Sequence, residues 1–422
     1  MRAPDSKDGL KAANPSEKTT NKAYLKLILL ILLVDLIGFS LVVPLLPLYA
    51  DSAGFSARQI GFLQSAYPFC QLFAAPILGR LSDRLGRKPV LVASQIGTTI
   101  GFLILALTQR FELMLLARML DGASGGNILV AQAYIADVTS PQERSKSLGL
   151  MGMVFGLGFI IGPALGGILA GITPADSAVR LPFLAAAMFS MTAWIIVLRK
   201  LPESRRPGEH GGEARVVGRA GLRAVLGDRR ISLLVLATAF LTLGWSNFES
   251  TISLFLKHRM QFSASEASLV FAFSGIVGAF AQGFLIRKMI TKYGERKLVV
   301  WGMATLCVGF IALSQVYSLW ALFPALILAG LGQGMATPSL SGLISRSCSP
   351  SIQGSVFGTL NAAQTGSRMI NYSVANMLRG QYGESAPFLS GAVMLMIGLL
   401  VVREGIKRLD ASSGENTSAQ RS

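Results

Sequence analysis

Residues 79–88 have the sequence GRLSDRLGRK and lie between two long apolar runs, residues 58–78 and 90–109. A helix needs roughly 20 apolar residues to cross the hydrocarbon core of a bilayer, which is about 30 Å thick. Both runs meet that length, so the polar decapeptide is predicted to join two transmembrane helices at a membrane surface. Ten further runs of this kind are residues 24–49, 112–136, 146–170, 180–199, 231–256, 264–286, 297–314, 319–345, 352–378 and 386–404. The sequence predicts an all-α membrane protein with twelve transmembrane helices.

The composition supports a membrane protein. Of the 422 residues, 51% are hydrophobic and only 14% are charged, whereas soluble proteins carry about 25% charged residues. This excludes an ordinary cytosolic domain, a coiled coil and a disordered chain. The three cysteines form no Cys-x-x-Cys pair and no His-Glu-x-x-His motif is present, so we expect neither a disulfide framework nor a metal site.

The net charge of +17 could indicate a nucleic-acid-binding protein, but the position of the charges argues against this. If the N-terminus is cytoplasmic, the cytoplasmic segments hold 31 of the 39 Lys and Arg residues and the outer loops hold 6. This bias predicts that both termini lie in the cytoplasm. Residues 1–23 are polar and lack the apolar core of a cleaved signal peptide. We expect a lipid bilayer, and no nucleic acid, as the partner.

The chain divides into two related halves. Residues 200–230 form the one long polar interruption, rich in Arg and Gly, and separate six spans from six. Three short segments recur at offsets of 207, 208 and 209 residues: 55–57 in 262–264, 85–88 in 293–296, and 140–149 in 349–358. The predicted boundaries are an N-terminal tail at 1–23, bundles at 24–199 and 231–404, the linker at 200–230, and a C-terminal tail at 405–422. Repeated bundles predict a substrate cavity between them near the bilayer midplane, with one bundle rocking against the other. Since one chain supplies both bundles, a monomer is adequate.

Several motifs now identify a family. Residues 79–88 resemble the G-x-L-x-D-R-x-G-R-K motif of the major facilitator superfamily. Residues 158–167 resemble the G-x-x-x-G-P-x-x-G-G antiporter motif of that superfamily's drug exporters. Span 1, with Asp35, Gly38 and the sequence PLLP at 44–47, is similar to that of twelve-span tetracycline and multidrug:proton antiporters. Residues 118–122 resemble their R-x-x-Q-G element, with Asp in place of Gln. The antiporter-motif residues here are Gly158, Gly162, Pro163, Gly166 and Gly167.

The resemblance implies a function. It implies a secondary transporter that exports small hydrophobic or amphipathic molecules in exchange for protons, located in the bacterial inner membrane. It implies no cofactor besides the proton gradient. It also implies a conformational latch, in which Asp83 meets the start of span 11 and Arg87 pairs with Asp137, because a helix N-terminus favours an anion. The latch residues are Gly79, Asp83, Arg84, Gly86, Arg87, Lys88 and Asp137. Two simpler readings stay open: the cations could serve only as topology determinants, and the glycines only as close-packing positions.

Five charged residues fall inside spans: Asp35, Arg118, Asp121, Glu249 and Arg368. A charge at the bilayer centre costs at least about 2.5–3.5 kcal/mol, so such residues usually pair or line cavities. Asp35 lies near the midplane and is our first candidate for the proton carrier, with a structural ion pair as the alternative. Arg118 and Asp121 share one helix face, either as an internal salt bridge or as a cavity cation beside a second proton site. Glu249 lies nearer the outer face, so rim solvation competes with a proton-coupling role, and Arg368 is its natural partner.

Aromatic and amide side chains on spans 2, 7, 8 and 11 are candidates for the cavity wall, because such a chamber suits amphipathic molecules. They are Gln64, Tyr67, Gln71, Trp245, Phe248, Phe271, Gln282, Asn361 and Gln364. Arg118 and Arg368 also motivate an alternative, a carrier of organic anions or metabolites. A receptor that transports nothing is a further alternative. An enzyme is not expected, because no span carries a histidine and no nucleophile–base set is present. The absence of a G-x-x-x-x-G-K-[ST] loop disfavours a primary pump.

Overall fold

The computed structural model describes residues 15–172, 180–204 and 219–419. Most of the predicted N-terminal tail, the middle of the predicted linker and residues 420–422 lie outside the described residues. The predicted domain boundaries therefore stay a prediction.

The described chain is helical, without strands. The first half contains α1 (Pro15–Ser52), α2 (Ala57–Leu85), α3 (Arg87–Leu107), α4 (Phe111–Ser124), α5 (Asn127–Val138), α6 (Pro141–Gly171) and α7 (Arg180–Lys200). The short α8 (Arg219–Gly227) precedes the second half. The second half contains α9 (Arg229–Met260), α10 (Ala264–Phe280), α11 (Ile286–Ser314), α12 (Leu319–Ser347), α13 (Pro350–Tyr382) and α14 (Ala386–Ala419).

Ten helical segments of the described chain are long and apolar enough to cross a membrane. The other two predicted spans correspond to α2 and α13, which have 29 and 33 residues but are less apolar. These two helices pack against each other between the halves, so part of their polar surface faces protein instead of lipid. With α4 and α5 counted as one span, the twelve-span prediction is confirmed.

The contacts between helices repeat in the two halves. In the first half α1 packs on α6 and α7, while α3 packs on α4 and α7. In the second half α9 packs on α13 and α14, while α11 packs on α12 and α14, which are the equivalent pairs. The halves meet through α1 with α9, α2 with α13, and α6 with α10. The repeat makes α2 equivalent to α10 and α6 equivalent to α13, so the α2–α13 and α6–α10 contacts are equivalent to each other. The fold is therefore two pseudo-symmetric six-helix bundles related by an approximate two-fold axis.

The two ends of the molecule differ. We call the end that carries residues 53–56, 261–263 and 383–385 the outer end, and the end that carries Gly86, residues 139–140 and residues 201–204 the linker end. Loop charge predicts that the linker end faces the cytoplasm.

Two helices depart from the predicted continuous spans. Span 4 is interrupted at Gly125 and Gly126, which separate α4 from α5. Two adjacent glycines weaken a helix, and a Cβ at Gly125 would lie 2.9 Å from the Tyr67 hydroxyl of α2. The interruption therefore lets span 4 approach α2 closely. At the other site, residues 281–285 form a π-helical turn at the end of α10, a feature that often marks functional positions.

The antiporter-motif glycines hold α6 against α1. A Cβ at Gly158 would lie 2.9 Å from Leu36 Cβ, and a Cβ at Gly162 would collide with Ser40 Oγ. The Ser40 hydroxyl donates to the Gly158 carbonyl at 2.7 Å. On the opposite side of α6, a Cβ at Gly167 would lie 3.0 Å from the Ser265 carbonyl oxygen of α10. Small residues that let backbones approach are a common basis of helix association in membranes, and Gly166 and Pro163 complete the motif within α6.

We expect Gly162→Ala to destabilise the protein by about 1–3 kcal/mol, because the added methyl group overpacks the α1–α6 contact. Gly152→Ala is the matched control on the same helix, since a Cβ there meets nothing within 4 Å. That change should be neutral or stabilise by up to about 1 kcal/mol, because alanine is the better helix former. Unfolding in mixed detergent micelles gives the free energy of unfolding of both variants. Equal changes in the two variants would contradict the packing of Gly162 against α1.

Candidate transport cavity

A cavity of about 940 Å³ lies between the two halves. Residues of α1 to α6 line one wall, and residues of α9, α10, α12 and α13 line the other. Its size is in the range of small-molecule sites. Toward the linker end it reaches Gly149, Gly152, Gly278 and Gly283, where an added Cβ would meet nothing within 4 Å.

Contacts between the halves close the outer end. Asp51 of α1 accepts from Lys257 Nζ at 2.7 Å and from His258 Nε2 at 3.0 Å, both on α9. Below this ion-pair cluster, Gln64 of α2 donates to the Ser250 carbonyl at 3.2 Å and accepts from Asn376 Nδ2 at 2.9 Å. The cavity is therefore sealed at the outer end and extends toward the linker end.

Asp35 lies in the cavity wall and is only 5% exposed. Its Oδ2 accepts a hydrogen bond from Asn127 Nδ2 at 2.5 Å. Asn127 is the first residue of α5, directly after the Gly125–Gly126 interruption, so this interruption positions the amide. Oδ1 is buried and forms no close hydrogen bond within the described residues, while the Gln95 side chain also interacts with the carboxyl group. The partners of Asp35 are thus neutral amides.

Arg118 and Asp121 form an ion pair beside Asp35. Arg118 donates to Asp121 Oδ2 at 2.7 Å, and the two side chains are 7% and 3% exposed. The Arg118 guanidinium also lies over the Tyr67 ring, 4.7 Å from its centroid, in cation–π geometry. The pair is thus an internal salt bridge, and both of its residues line the cavity. A second proton site at Asp121 stays a prediction.

A second ion pair lies on the opposite wall. Arg368 Nε donates to Glu249 Oε2 at 3.0 Å, and the Tyr372 hydroxyl donates to the same oxygen at 2.9 Å. Glu249 is 16% exposed and all three residues line the cavity. The structure therefore brings Glu249 and Arg368 together, and it places Glu249 in the cavity instead of at the rim.

Seven of the nine predicted wall residues line the cavity: Gln64, Tyr67, Gln71, Trp245, Phe248, Phe271 and Gln282. Trp245 stacks on Phe248 with ring centroids 4.8 Å apart. Asn361 and Gln364 are not among the lining residues of the described chain. They precede Arg368 by two turns and one turn of α13, toward the linker end. In this segment a Cβ at Gly354 or Gly366 would meet nothing within 4 Å, although Val356 and Leu360 are buried.

Sequence reasoning missed several lining residues. They are Phe39, Asn127, Met153, Phe159, Gln333, Thr337 and Tyr372. The apolar ones carry no signal that separates them from lipid-facing side chains. Gln333 and Thr337 were recognisable as polar residues four apart in an apolar span, and Asn127 as an amide next to two glycines.

Two of the predicted latch residues contact Arg87. Arg87 lies 2.8 Å from Asp83 Oδ1 and donates to Asp137 Oδ2 at 3.1 Å. Gly86 has φ +100°, which favours glycine. A Cβ there would collide with the Glu203 carboxylate, which accepts from the backbone N–H groups of Arg87 and Lys88 and so caps α3. Gly79 packs against Leu129 of α5, and Arg84 is exposed. The contact of Asp83 with the start of α13 stays a prediction.

The second half repeats this ion pair with the charges exchanged. Gly294 has φ +75°, as its equivalent Gly86 has a positive φ. Glu295 follows Gly294, and its Oε1 lies 3.3 Å from Arg346 Nη2. The equivalent residues of the first half are Arg87 for Glu295 and Asp137 for Arg346. The sequence echo at residues 293–296 marks the position of this turn, whereas the exchanged pair is visible only in the structure.

The described residues contain no group of three or more His, Cys, Asp or Glu side chains arranged to hold a metal ion. The charged groups of the cavity are instead arranged as two ion pairs and one acid with neutral partners.

Comparison with known proteins places the chain among transporters. A family model of the Major Facilitator Superfamily matches residues 28–289 and 234–420. Tetracycline resistance protein, class C, from Escherichia coli is 32% identical over 78% of this chain and 83% of its own length. Multidrug resistance protein 1 from Bacillus subtilis is 28% identical over 76% of this chain and 81% of its own length.

Solved structures agree in fold. The human organic anion transporter MFSD10 superposes with a TM-score of 0.68 at 25% identity, covering 90% of this chain and 99% of its own. A bacterial homologue of the human lysosomal transporter Spinster, in an inward-facing and unoccupied conformation, gives a TM-score of 0.76 at 17% identity, covering 94% and 99%.

These matches cover most of the chain and both bundles, and the fold and the central cavity are those of a multi-pass membrane transporter for small molecules, not of an enzyme. The chain belongs to the Major Facilitator Superfamily. Within it, the chain is related to the tetracycline and multidrug resistance proteins.

Proposed function

We propose that the protein is a secondary active transporter that exports small hydrophobic or amphipathic molecules in exchange for protons. The proposal places it in the bacterial inner membrane as a monomer, with both termini in the cytoplasm and no cofactor besides the proton gradient. The observation that carries it is the buried Asp35 carboxyl group, which lines the cavity between the halves and has neutral amides as partners.

The charges of the cavity support this role for Asp35. Arg118 with Asp121 and Arg368 with Glu249 form two pairs in which the opposite charges cancel. Asp35 is then the one acid of these five residues without a cationic partner. Its proton decides whether the group is neutral or carries one negative charge. Since an uncompensated charge in a low-dielectric site is costly, proton binding and substrate binding at this wall are coupled.

The proposed export cycle starts from the open end. With the linker end in the cytoplasm, the structure is an inward-open conformation whose outer end is closed by the Asp51 ion-pair cluster. A cytoplasmic substrate enters the cavity, Asp35 releases its proton to the cytoplasm, and the halves rock to expose the substrate outside. A proton from outside then reloads Asp35 and favours the return.

The Arg118 and Arg368 side chains and the similarity to MFSD10 favour a second candidate, an organic-anion carrier. Such a substrate would have to replace Asp121 or Glu249 as the partner of an arginine. Because both arginines are already paired with carboxylates, the geometry supports exchange with protons better.

Proton flux in proteoliposomes tests the proposal. Tetracycline, chosen because of the related resistance proteins, and a panel of amphipathic cations and organic anions serve as probes. We expect probe uptake into vesicles with an acidic lumen, proton release on probe addition, and loss of both when a protonophore removes the gradient. Uptake of anions that is indifferent to pH would favour the second candidate, and the absence of any probe flux would favour a receptor.

A further inference from the structure

We propose that Gln333 and Thr337 of α12, together with Gln282 of the π-helical turn that follows α10, form a hydrogen-bonding subsite for a substrate edge that carries hydroxyl or amide N–H groups. The inference rests on the proposed transport of small molecules through this cavity. It adds the chemical class of the polar part of the substrate and the wall that recognises it.

Two unpartnered polar atoms lie at this wall. Gln333 Oε1 and Thr337 Oγ1 are buried, and neither has a hydrogen-bond partner within the described chain. Both residues line the cavity. They are four residues apart, so they lie on one face of α12. Buried polar atoms in folded proteins nearly always have a hydrogen-bond partner. At this wall, a ligand bound in the cavity can supply that partner.

The Thr337 hydroxyl differs from those of the three threonines of α9. Thr238, Thr242 and Thr251 of α9 each donate to the carbonyl four residues earlier, at 3.0, 2.9 and 2.7 Å. That bond satisfies a threonine within its own helix. Thr337 does not make it, so its hydroxyl stays available to a ligand.

Close packing of α12 on α10 fixes the position of this wall. A Cβ at Gly330 would lie 2.7 Å from Val277 Cγ1, and a Cβ at Gly334 would lie 2.5 Å from Ala281 Cβ. Gly330 precedes Gln333 by three residues, and Gly334 precedes Thr337 by three. The two glycine contacts therefore fix the position of α12 next to Gln333 and Thr337. Gln282 follows Ala281 in the π-helical turn and lines the cavity.

The available atoms decide the ligand chemistry. An amide oxygen accepts only, and a hydroxyl group both accepts and donates. A ligand that satisfies Gln333 Oε1 must therefore donate, as a hydroxyl or an amide N–H group does. The apolar body of the ligand would pack on Phe39 and Phe159 of one wall and on Phe248 of the other. Asp35 lies on the other half, so the polar subsite and the proposed proton site are separate.

The test compares two probes on purified protein. Tetracycline carries several hydroxyl groups and a carboxamide, whereas tetraphenylphosphonium has no hydrogen-bonding group. We expect Thr337→Val and Gln333→Met to lower the ratio of tetracycline affinity to tetraphenylphosphonium affinity by about five- to tenfold, the effect of one neutral hydrogen bond. Direct binding by equilibrium dialysis measures both affinities, and Thr337→Val keeps the shape of the side chain.

Ser339→Ala is the matched control. The Ser339 hydroxyl is also buried without a partner two residues away on α12, but it does not line the cavity, so the affinity ratio should stay within about twofold. If the cavity variants leave the ratio unchanged, or if Ser339→Ala lowers it equally, the subsite is wrong while the proposed function stands. If the wild-type protein binds neither probe, the proposed function fails, and the subsite, which depends on it, fails as well.

Discussion

Asp35→Asn is expected to abolish the coupling between protons and substrate while the cavity keeps its shape. Asparagine has nearly the same size as aspartate, and its oxygen can still accept from Asn127, but it carries no titratable proton. Typical coupling between two ligands changes an affinity by about 5- to 150-fold. We therefore expect the wild-type substrate affinity to vary by about this factor with pH and the Asp35→Asn affinity to be flat.

Two measurements separate this loss from misfolding. Substrate-triggered proton release in detergent should fall from about one proton per protein to none, as expected when the carboxyl group that we propose as the proton carrier is removed. Substrate exchange across vesicles without a proton gradient, which needs no net proton movement, should continue. Glu112→Gln is the control, because Glu112 is an exposed acid in the first turn of α4 and does not line the cavity. Unchanged pH-driven transport in Asp35→Asn would rule out Asp35 as the proton carrier.

Asp121→Leu should destabilise the protein by about 3–5 kcal/mol, because it leaves the Arg118 guanidinium buried without a counter-ion. Both partners are almost fully buried, at 7% and 3% exposure, so solvent does not screen the charge that remains. Replacing the pair together, as Arg118→Met with Asp121→Leu, should restore most of the loss, since two apolar side chains of similar volume carry no desolvation cost. Unfolding in mixed detergent micelles gives the free energies.

The pair between Arg408 and Glu404 is the matched comparison. It has the same kind of contact, 2.8 Å between neighbouring turns of α14, but its side chains are 38% and 46% exposed. Glu404→Ala should therefore change stability by no more than about 1 kcal/mol. If Asp121→Leu changes stability as little as Glu404→Ala does, water reaches the Arg118 side chain, and this wall is not a low-dielectric environment.

The spans were predictable because the signal is local. Length and hydropathy of each segment are enough to recognise a membrane-crossing helix, and this held even for α2 and α13, whose polar residues make them the least apolar. The repeat at offsets of 207 to 209 residues predicted that the two halves are equivalent. The interruption at Gly125 and Gly126 was not predicted, since two glycines within a span are also compatible with an unbroken helix.

The charged groups of the site were predictable as residues but not as a constellation. Charge inside a span identifies Asp35, Asp121 and Glu249 as unusual. Their partners depend on helices far apart in sequence: Asn127 reaches Asp35 across 92 residues, and Arg368 reaches Glu249 across 119.

The sequence by itself determined the number of spans, their order and the family motifs, because each depends on neighbouring residues along the chain. Tertiary structure alone decided which polar side chains face the cavity. Asn361 and Gln364 look like wall residues in the sequence, yet Gln333 and Thr337 form the wall. For α12 the physical reason is that packing sets the rotation of a helix about its axis, here the packing of Gly330 and Gly334 against α10. A one-residue change in that rotation turns a side chain by about 100°.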